Sequence, residues 1–286
     1  MKLTQYYKVA ENVFSVTAEA DFFVGMEKYN IFATNVTDTV FDLDVVGEKF
    51  DGQYVTEIKQ DEEGQQIICG HLDNGDSVFE FGLEGRRTGV LVSTPDYSVA
   101  KLYLDGADSQ FAFDNAAMVL YSLATAKEST LLFHSAVVEY GGRAYMFLGK
   151  SGTGKSTHAR LWLRNFPSAT LLNDDNPVVR IMDDNVINVF GSPWSGKTPC
   201  YKNEDYPLGA IVALSQAKHN EIRDLKGILA YAAVKPSISG KRWDPKIADA
   251  LHASENFLAQ HAKTYHLDCL PDDDAARICN SKITAQ

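Results

Sequence analysis

The chain has 286 residues, enough for one large domain or two smaller ones with a sizeable core. It is 45% hydrophobic and 23% charged, as globular proteins are, and its net charge of -11 disfavours general affinity for nucleic acid, so no DNA or RNA partner is expected. No apolar run approaches the roughly 20 residues of a membrane span, the first residues lead into a polar stretch instead of a signal peptide, and Cys69, Cys200, Cys269 and Cys279 form no Cys-x-x-Cys pair; the expectation is a cytoplasmic protein with reduced thiols and no membrane partner.

Residues 1–108 form the first expected domain, a β-rich part in which short apolar runs alternate with turn signals and predict antiparallel strands. The segments 67–72 and 77–81 flank Asp73-Asn74-Gly75-Asp76, a hairpin signal because Asn-Gly accepts positive φ. Further strands are predicted at 32–36, 40–46, 89–93 and 99–104. No catalytic constellation stands out in this part, and Asp61-Glu62-Glu63 reads as a solvated loop. Segment 111–126 carries apolar residues around most of a helical circumference, which predicts a buried helix capped by Ser109. It opens the second expected domain, 109–286.

In that second part, 131–138 is predicted as a strand carrying His134, and Gly141-Gly142 turns it into the apolar run 144–148. There follows Gly149-Lys150-Ser151-Gly152-Thr153-Gly154-Lys155-Ser156, which fits the phosphate-loop pattern G-x-x-x-x-G-K-[ST] at every fixed position. Glycines let backbone N–H groups turn inward around a polyphosphate, Lys155 brings positive charge to the outer phosphates, and Ser156 offers a hydroxyl to Mg²⁺. The helix-forming segment 157–164 follows, so the loop and Thr157 sit at a helix N-terminus, where the macrodipole favours an anion. Gly149, Ser151, Gly152, Thr153, Gly154, Lys155, Ser156 and Thr157 are therefore the expected nucleotide-binding residues, with ATP and Mg²⁺ as ligands.

A strand at 170–172 runs into Asn173-Asp174-Asp175, close enough in sequence to return beside the loop. Two adjacent carboxylates are costly together unless a positive charge lies beside them, and Mg²⁺ bound to ATP supplies one. Segments 178–182 and 186–190 predict a second hairpin. The Gly- and Pro-rich loop 191–199 carries Trp194 and Lys197, candidates to hold an acceptor or a phosphate, though a packed Trp in a surface loop explains it equally. A strand is expected at 208–214. Arg242 sits in a small basic, aromatic loop and is either a charge-stabilising arginine over the γ-phosphate or a salt-bridged surface residue. Asp244-Pro245 would start a helix running to about residue 262, and a strand at 265–270 and a short helix near Ala275 complete the chain.

Taken together, His134-Ser135-Ala136, the loop Phe147-Leu148-Gly149-Lys150-Ser151-Gly152-Thr153-Gly154-Lys155-Ser156 and Leu172-Asn173-Asp174-Asp175 resemble the kinase domain of HPr kinase/phosphorylase. They also resemble the nucleotide site of ATP-dependent phosphoenolpyruvate carboxykinase. The resemblance covers roughly residues 130–280 and implies a mixed α/β fold, a β-rich N-terminal part followed by a P-loop kinase domain. It implies that His134 lies near the transferred phosphate or a metal, and that one of Asp174 and Asp175 holds the metal while the other accepts the acceptor hydroxyl's proton, Asp175 being the preferred base. It also points, by analogy, to a homo-oligomer. The first part does not look like the N-terminal domain of HPr kinase, and the signature with which that family engages its protein substrate is replaced by loop 191–199. Three functions are left open. One is a kinase phosphorylating a hydroxyl of a protein serine or a small molecule, another a carboxykinase-like phosphotransferase, and the third a non-catalytic ATP-sensing module.

Overall fold

β-Branched and aromatic residues dominate the first third of the chain and form strands there. In the computed structural model, which describes residues 1–106, 108–196 and 198–285, contacts divide the chain into two units, Met1–Thr125 and Ala126–Gln286. The first contains β1 (Lys2–Val9), β2 (Asn12–Glu19), β3 (Phe41–Val46), β4 (Val55–Glu62), β5 (Gln65–His71), β6 (Ser77–Leu83), β7 (Arg86–Ser93), β8 (Val99–Leu104) and α1 (Ser109–Ala124). The strands make one eight-stranded sheet in the order β1-β2-β3-β8-β7-β6-β5-β4.

This sheet departs from the sequence expectation in three ways. Pairing is not antiparallel throughout: β2 with β3 and β3 with β8 are parallel, because the connection between β2 and β3 is long enough to cross over. The strand expected at 32–36 is absent, and the chain there forms 3₁₀ turns, Ala20–Gly25 and Glu27–Phe32. Met26, Tyr29 and Phe32 recur every three residues and are buried, the spacing of a 3₁₀ helix. Finally, α1 belongs to this unit rather than to the second part, since its buried face, including Ala112, Phe113, Ala116 and Leu120, lies against β6, β7 and β8. Ser109 does not cap it: Asp108 occupies the N-cap position without a side-chain bond, and Ser109 Oγ donates to the Gly106 carbonyl at 2.8 Å.

The second unit contains β9 (Thr130–Leu132), β10 (Ser135–Tyr140), β11 (Arg143–Leu148), α2 (Lys155–Asn165), β12 (Thr170–Asp175), β13 (Val178–Ile181), β14 (Ile187–Phe190), β15 (Asp205–Gln216), β16 (Glu221–Leu225), α3 (Ile228–Val234), α4 (Pro245–His261), β17 (Thr264–Cys269) and α5 (Asp273–Ile283). Its strands follow the order β12-β10-β11-β15-β14-β13-β9, with β17 and β16 branching from β15. The twelve-residue β15 joins the two halves: its first residues pair with β14, and its later ones run parallel to both β11 and β17. The core under α2 and α5 gathers Ala136, Phe147, Ala159, Trp162, Val212 and Leu267. The molecule is thus mixed α/β. Among the described residues no helix is long and apolar enough to cross a membrane, and the four cysteines are free thiols.

Gly89 on β7 carries the approach of α1: a Cβ there would lie 2.9 Å from the Ala112 side chain and 2.9 Å from the Tyr103 carbonyl. Gly89→Val is expected to destabilise the first unit by about 1–3 kcal/mol through overpacking, whereas Gly47→Val, at a site with nothing within 4 Å, should stay within about 0.5 kcal/mol. Hydrogen exchange of the α1 amides measures this, since Trp162, Trp194 and Trp243 all lie in the other unit.

Candidate functional site

β11 ends at Leu148 and α2 begins at Lys155, so the glycine-rich segment spans a strand-to-helix junction. Gly152 and Gly154 have φ of +76° and +111°, a region where a Cβ is strained. Gly154 is the N-cap of α2, with no side-chain cap and no acidic residue in the first turn. The first N–H groups of this helix and the positive end of its dipole are therefore not used up by a carboxylate of the chain. Ser156 Oγ makes no hydrogen bond among the described residues.

The register of the neighbouring strands decides what meets the loop. Ser135, the first residue of β10, lies opposite Leu148 on one side and Asp175 on the other. The end of β11, the start of β10 and the end of β12 thus come together. The strand expected at 131–138 is broken at this point: β9 pairs with β13 in one half of the sheet, and β10 with β11 and β12 in the other. His134 falls in the crossing, its N–H donating to the Ser237 carbonyl at 2.7 Å. Asp174 and Asp175 are the last residues of β12, not a loop beyond it.

Three side chains then form a bonded chain. His134 Nδ1 is 3.0 Å from Asp175 Oδ1, and Lys155 Nζ is 2.8 Å from His134 Nε2. A carboxylate only accepts and an ammonium only donates, so the imidazole tautomer that donates from Nδ1 and accepts at Nε2 satisfies both contacts. Lys155 also donates to the Gly149 carbonyl at 3.0 Å and the Lys150 carbonyl at 3.4 Å. Asp175 Oδ2 accepts from Asn176 Nδ2 at 2.9 Å, and its backbone N–H donates to Asn173 Oδ1 at 2.9 Å.

Asp174 behaves differently from its neighbour. It lies opposite Ala136, which packs in the core under α2, so strand alternation turns Asp174 to the α2 face and Asp175 to the other. Asp174 is 8% exposed, and its Oδ1 has no hydrogen-bond partner among the described residues. A buried carboxylate oxygen without a partner is expensive, and a cation would relieve that cost. Asp174 and Ser156 are oxygen donors of the kind a hard cation such as Mg²⁺ takes, and are the candidate ligands. No group of three His, Cys, Asp or Glu side chains that could hold a metal ion is found among the described residues.

The remaining candidates are placed as follows. Gly196, in the loop between β14 and β15, lies against the acidic pair: a Cβ there would meet the Asp174 carbonyl at 3.0 Å and Asp175 Cβ at 3.1 Å. Trp194 in the same loop is 3% exposed, and its backbone is bonded to Ser192 Oγ and Asn173 Nδ2, so its ring packs in the interior. Lys197 lies outside the described residues. Arg242 Nη2 is 2.5 Å from Oε1 of the buried Glu255 and also donates to the Lys235 carbonyl at 3.1 Å. Its segment borders His134 through Ser237, yet its guanidinium is engaged by Glu255. Ser151, Thr153 and Thr157 lie in the loop or the first turn, and Thr157 Oγ1 accepts from Arg160 Nη2 at 3.4 Å.

Two residues beside the loop, one bracing it and one in the core behind it, escape sequence reasoning. Gln216, at the end of β15, donates to the Gly152 carbonyl at 3.1 Å and the Thr153 carbonyl at 3.4 Å, bracing the loop; no local motif marks it, because only the parallel pairing of β11 and β15 brings it there. The other is His158. It is buried, with Nε2 accepting from Trp162 Nε1 at 3.2 Å and its ring 4.7 Å from that of Phe147.

No family model matches the chain, and no curated protein sequence matches it. Among solved structures the chain is similar to the HPr(Ser) kinase/phosphatase from Coxiella burnetii, with 10% identity and a TM-score of 0.32, over 54% of this chain and 99% of that one. A likeness at that score carries no argument about activity.

Burial pushes the His158 imidazole down to about 4 from its usual 6.5. The unfolded chain takes up this proton near its ordinary value and the folded chain resists it, so the contribution to stability is complete above about pH 6.5 and is lost as pH falls toward 4. The second unit should lose about 2 kcal/mol from this residue between pH 7 and pH 5. Urea unfolding followed by tryptophan fluorescence checks this: the loss attributable to His158 should be missing in His158→Phe.

Proposed function

We propose that the chain is an ATP- and Mg²⁺-dependent kinase of the HPr kinase-like type, transferring the γ-phosphate to a hydroxyl of a protein serine or a small molecule. The observation that carries this reading is the bonded chain Asp175–His134–Lys155, which ends in a phosphate-loop sequence at a strand-to-helix junction. Phosphoryl transfer asks a protein mainly for positioning and charge neutralisation. Loop N–H groups and the open first turn of α2 bind the phosphates, and Lys155, held ready by Gly149 and His134, neutralises charge on the oxygens that gain it. Asp174 and Ser156 hold Mg²⁺, which supplies the charge that balances the β- and γ-phosphate oxygens. Asp175 stands on the opposite strand face from Asp174, is part-exposed, and is oriented by His134 and Asn176. It takes the proton of the acceptor hydroxyl. His134 fixes the carboxylate and the ammonium relative to one another.

A second reading, a nucleotide-sensing module without transfer, draws on Arg242. With its guanidinium on Glu255, Arg242 is not aimed at a transferred phosphate.

The test follows γ-labelled ATP with Mg²⁺ into protein, small molecules and free phosphate in a mixed extract. Wild type is expected to label one acceptor, with label falling about 100-fold or more in Lys155→Ala and Asp175→Asn. Transfer that is unchanged in both variants contradicts the kinase, and ATP bound without any transfer favours the sensing module.

A further inference from the structure

β11, β15 and β17 run side by side and parallel. Their carboxyl ends lead toward the phosphate loop, and at their amino ends the structure holds a cavity of about 690 Å³. The six residues of β11 separate the two places by roughly 20 Å at about 3.3 Å per residue. The volume lies within the range of small-molecule sites, roughly 300–1,000 Å³.

The chemistry of the walls selects a ligand. In a chain of net charge -11, the described lining residues include Arg143, Lys263 and His261 and no aspartate or glutamate. Neither the Arg143 guanidinium nor the Lys263 ammonium makes a hydrogen bond or ion pair among the described residues. The nearest carboxylate in sequence, Glu139, is occupied by the Gly142 N–H at 2.9 Å and by Thr170 Oγ1 at 3.3 Å. Arg143 starts β11 and Lys263 precedes β17, with β15 between them, and the register sets Lys263 level with Tyr145, two residues beyond Arg143; their backbones therefore stand roughly 12 Å apart, two strand spacings across and two residues along. Between them the floor is built by a β-bulge. The register of β11 on β15 shifts between Ala144 and Tyr145, leaving Gly209 as the extra residue, and a Cβ at Gly209 would lie 2.6 Å from the Tyr145 ring. Glycine is thus what lets the ring lie across β15. With Val186 and Leu208 it gives the cavity an apolar side.

We infer that this cavity is a second binding site, for a small organic diacid whose two anionic groups, phosphate or carboxylate, reach Arg143 and Lys263 while its apolar middle lies over Tyr145. The inference does not rest on the kinase reading, because the site shares no residue with the phosphate loop.

The test is calorimetry on the full chain with two probes of matched length, sebacate (decanedioate) and hexane-1,6-diyl bisphosphate, each with eight atoms between its acidic centres. Wild type should bind at least one of them saturably, the preferred probe telling carboxylate from phosphate. Binding should weaken about tenfold in Arg143→Ala and in Lys263→Ala, vanish in the double variant, and be unaltered in Lys155→Ala. Both side chains are exposed and unpaired, so the variants should keep the wild-type circular dichroism and melting temperature. No saturable binding of either probe, binding indifferent to the double substitution, or binding lost in Lys155→Ala alone would each overturn the proposal.

Discussion

A lysine that is nine-tenths buried must have its ammonium hydrogen-bonded, and the second unit is arranged around meeting that need at Lys155. The carbonyls of Gly149 and Lys150 and the imidazole of His134 surround it, and each comes from a different structural decision. The carbonyls require the glycine-rich turn after β11. The imidazole requires the chain to leave one half of the sheet and enter the other at His134, and that crossing is pinned by the Ser237 carbonyl and the Phe133–Ile238 bridge. Asp175 completes the set because β12 returns antiparallel to β10 in a register that sets it opposite Ser135.

The two faces of β12 separate the acidic pair by simple alternation. Asn173 and Asp175 face the β14–β15 loop and His134, whereas Asp174 turns to the α2 face with one oxygen unpartnered. Adjacent carboxylates in sequence therefore need not share an environment, and their proposed roles as base and metal ligand follow from that division. β15 serves both ends of the sheet. Gln216 at its carboxyl end braces the glycine-rich loop, and the Gly209 bulge near its start shapes the distal cavity.

The glycine-rich turn between β11 and α2 was legible in the sequence because its constraints are local: positive φ at Gly152 and Gly154, and a helix start at Lys155. So were the hairpin around Gly75 and the capped start of α4, where Asp244 accepts from the Lys246 N–H at 3.1 Å. What was not legible depends on long-range pairing. The break at His134 has no signal in residues 131–138, whose apolar run suits one strand as well as two. Gln216 and Gly209 acquire meaning only through the β11–β15 register. The 3₁₀ turn at Glu27–Phe32 was hidden because aromatic residues suit a strand until their spacing of three is weighed. Arg242 and Trp194 show the limit of reading chemistry from residue type: both turn out to be engaged internally, one by Glu255 and one by packing.

The central claim is that Asp174 and Asp175 perform different tasks beside one phosphate loop. Calorimetric titration of ATP with and without Mg²⁺ tests it most directly. The account predicts that Asp174→Asn removes most of the gain in ATP affinity that Mg²⁺ confers, while Asp175→Asn preserves that gain. Equal loss in both variants, or undiminished Mg²⁺ dependence in Asp174→Asn, would contradict it.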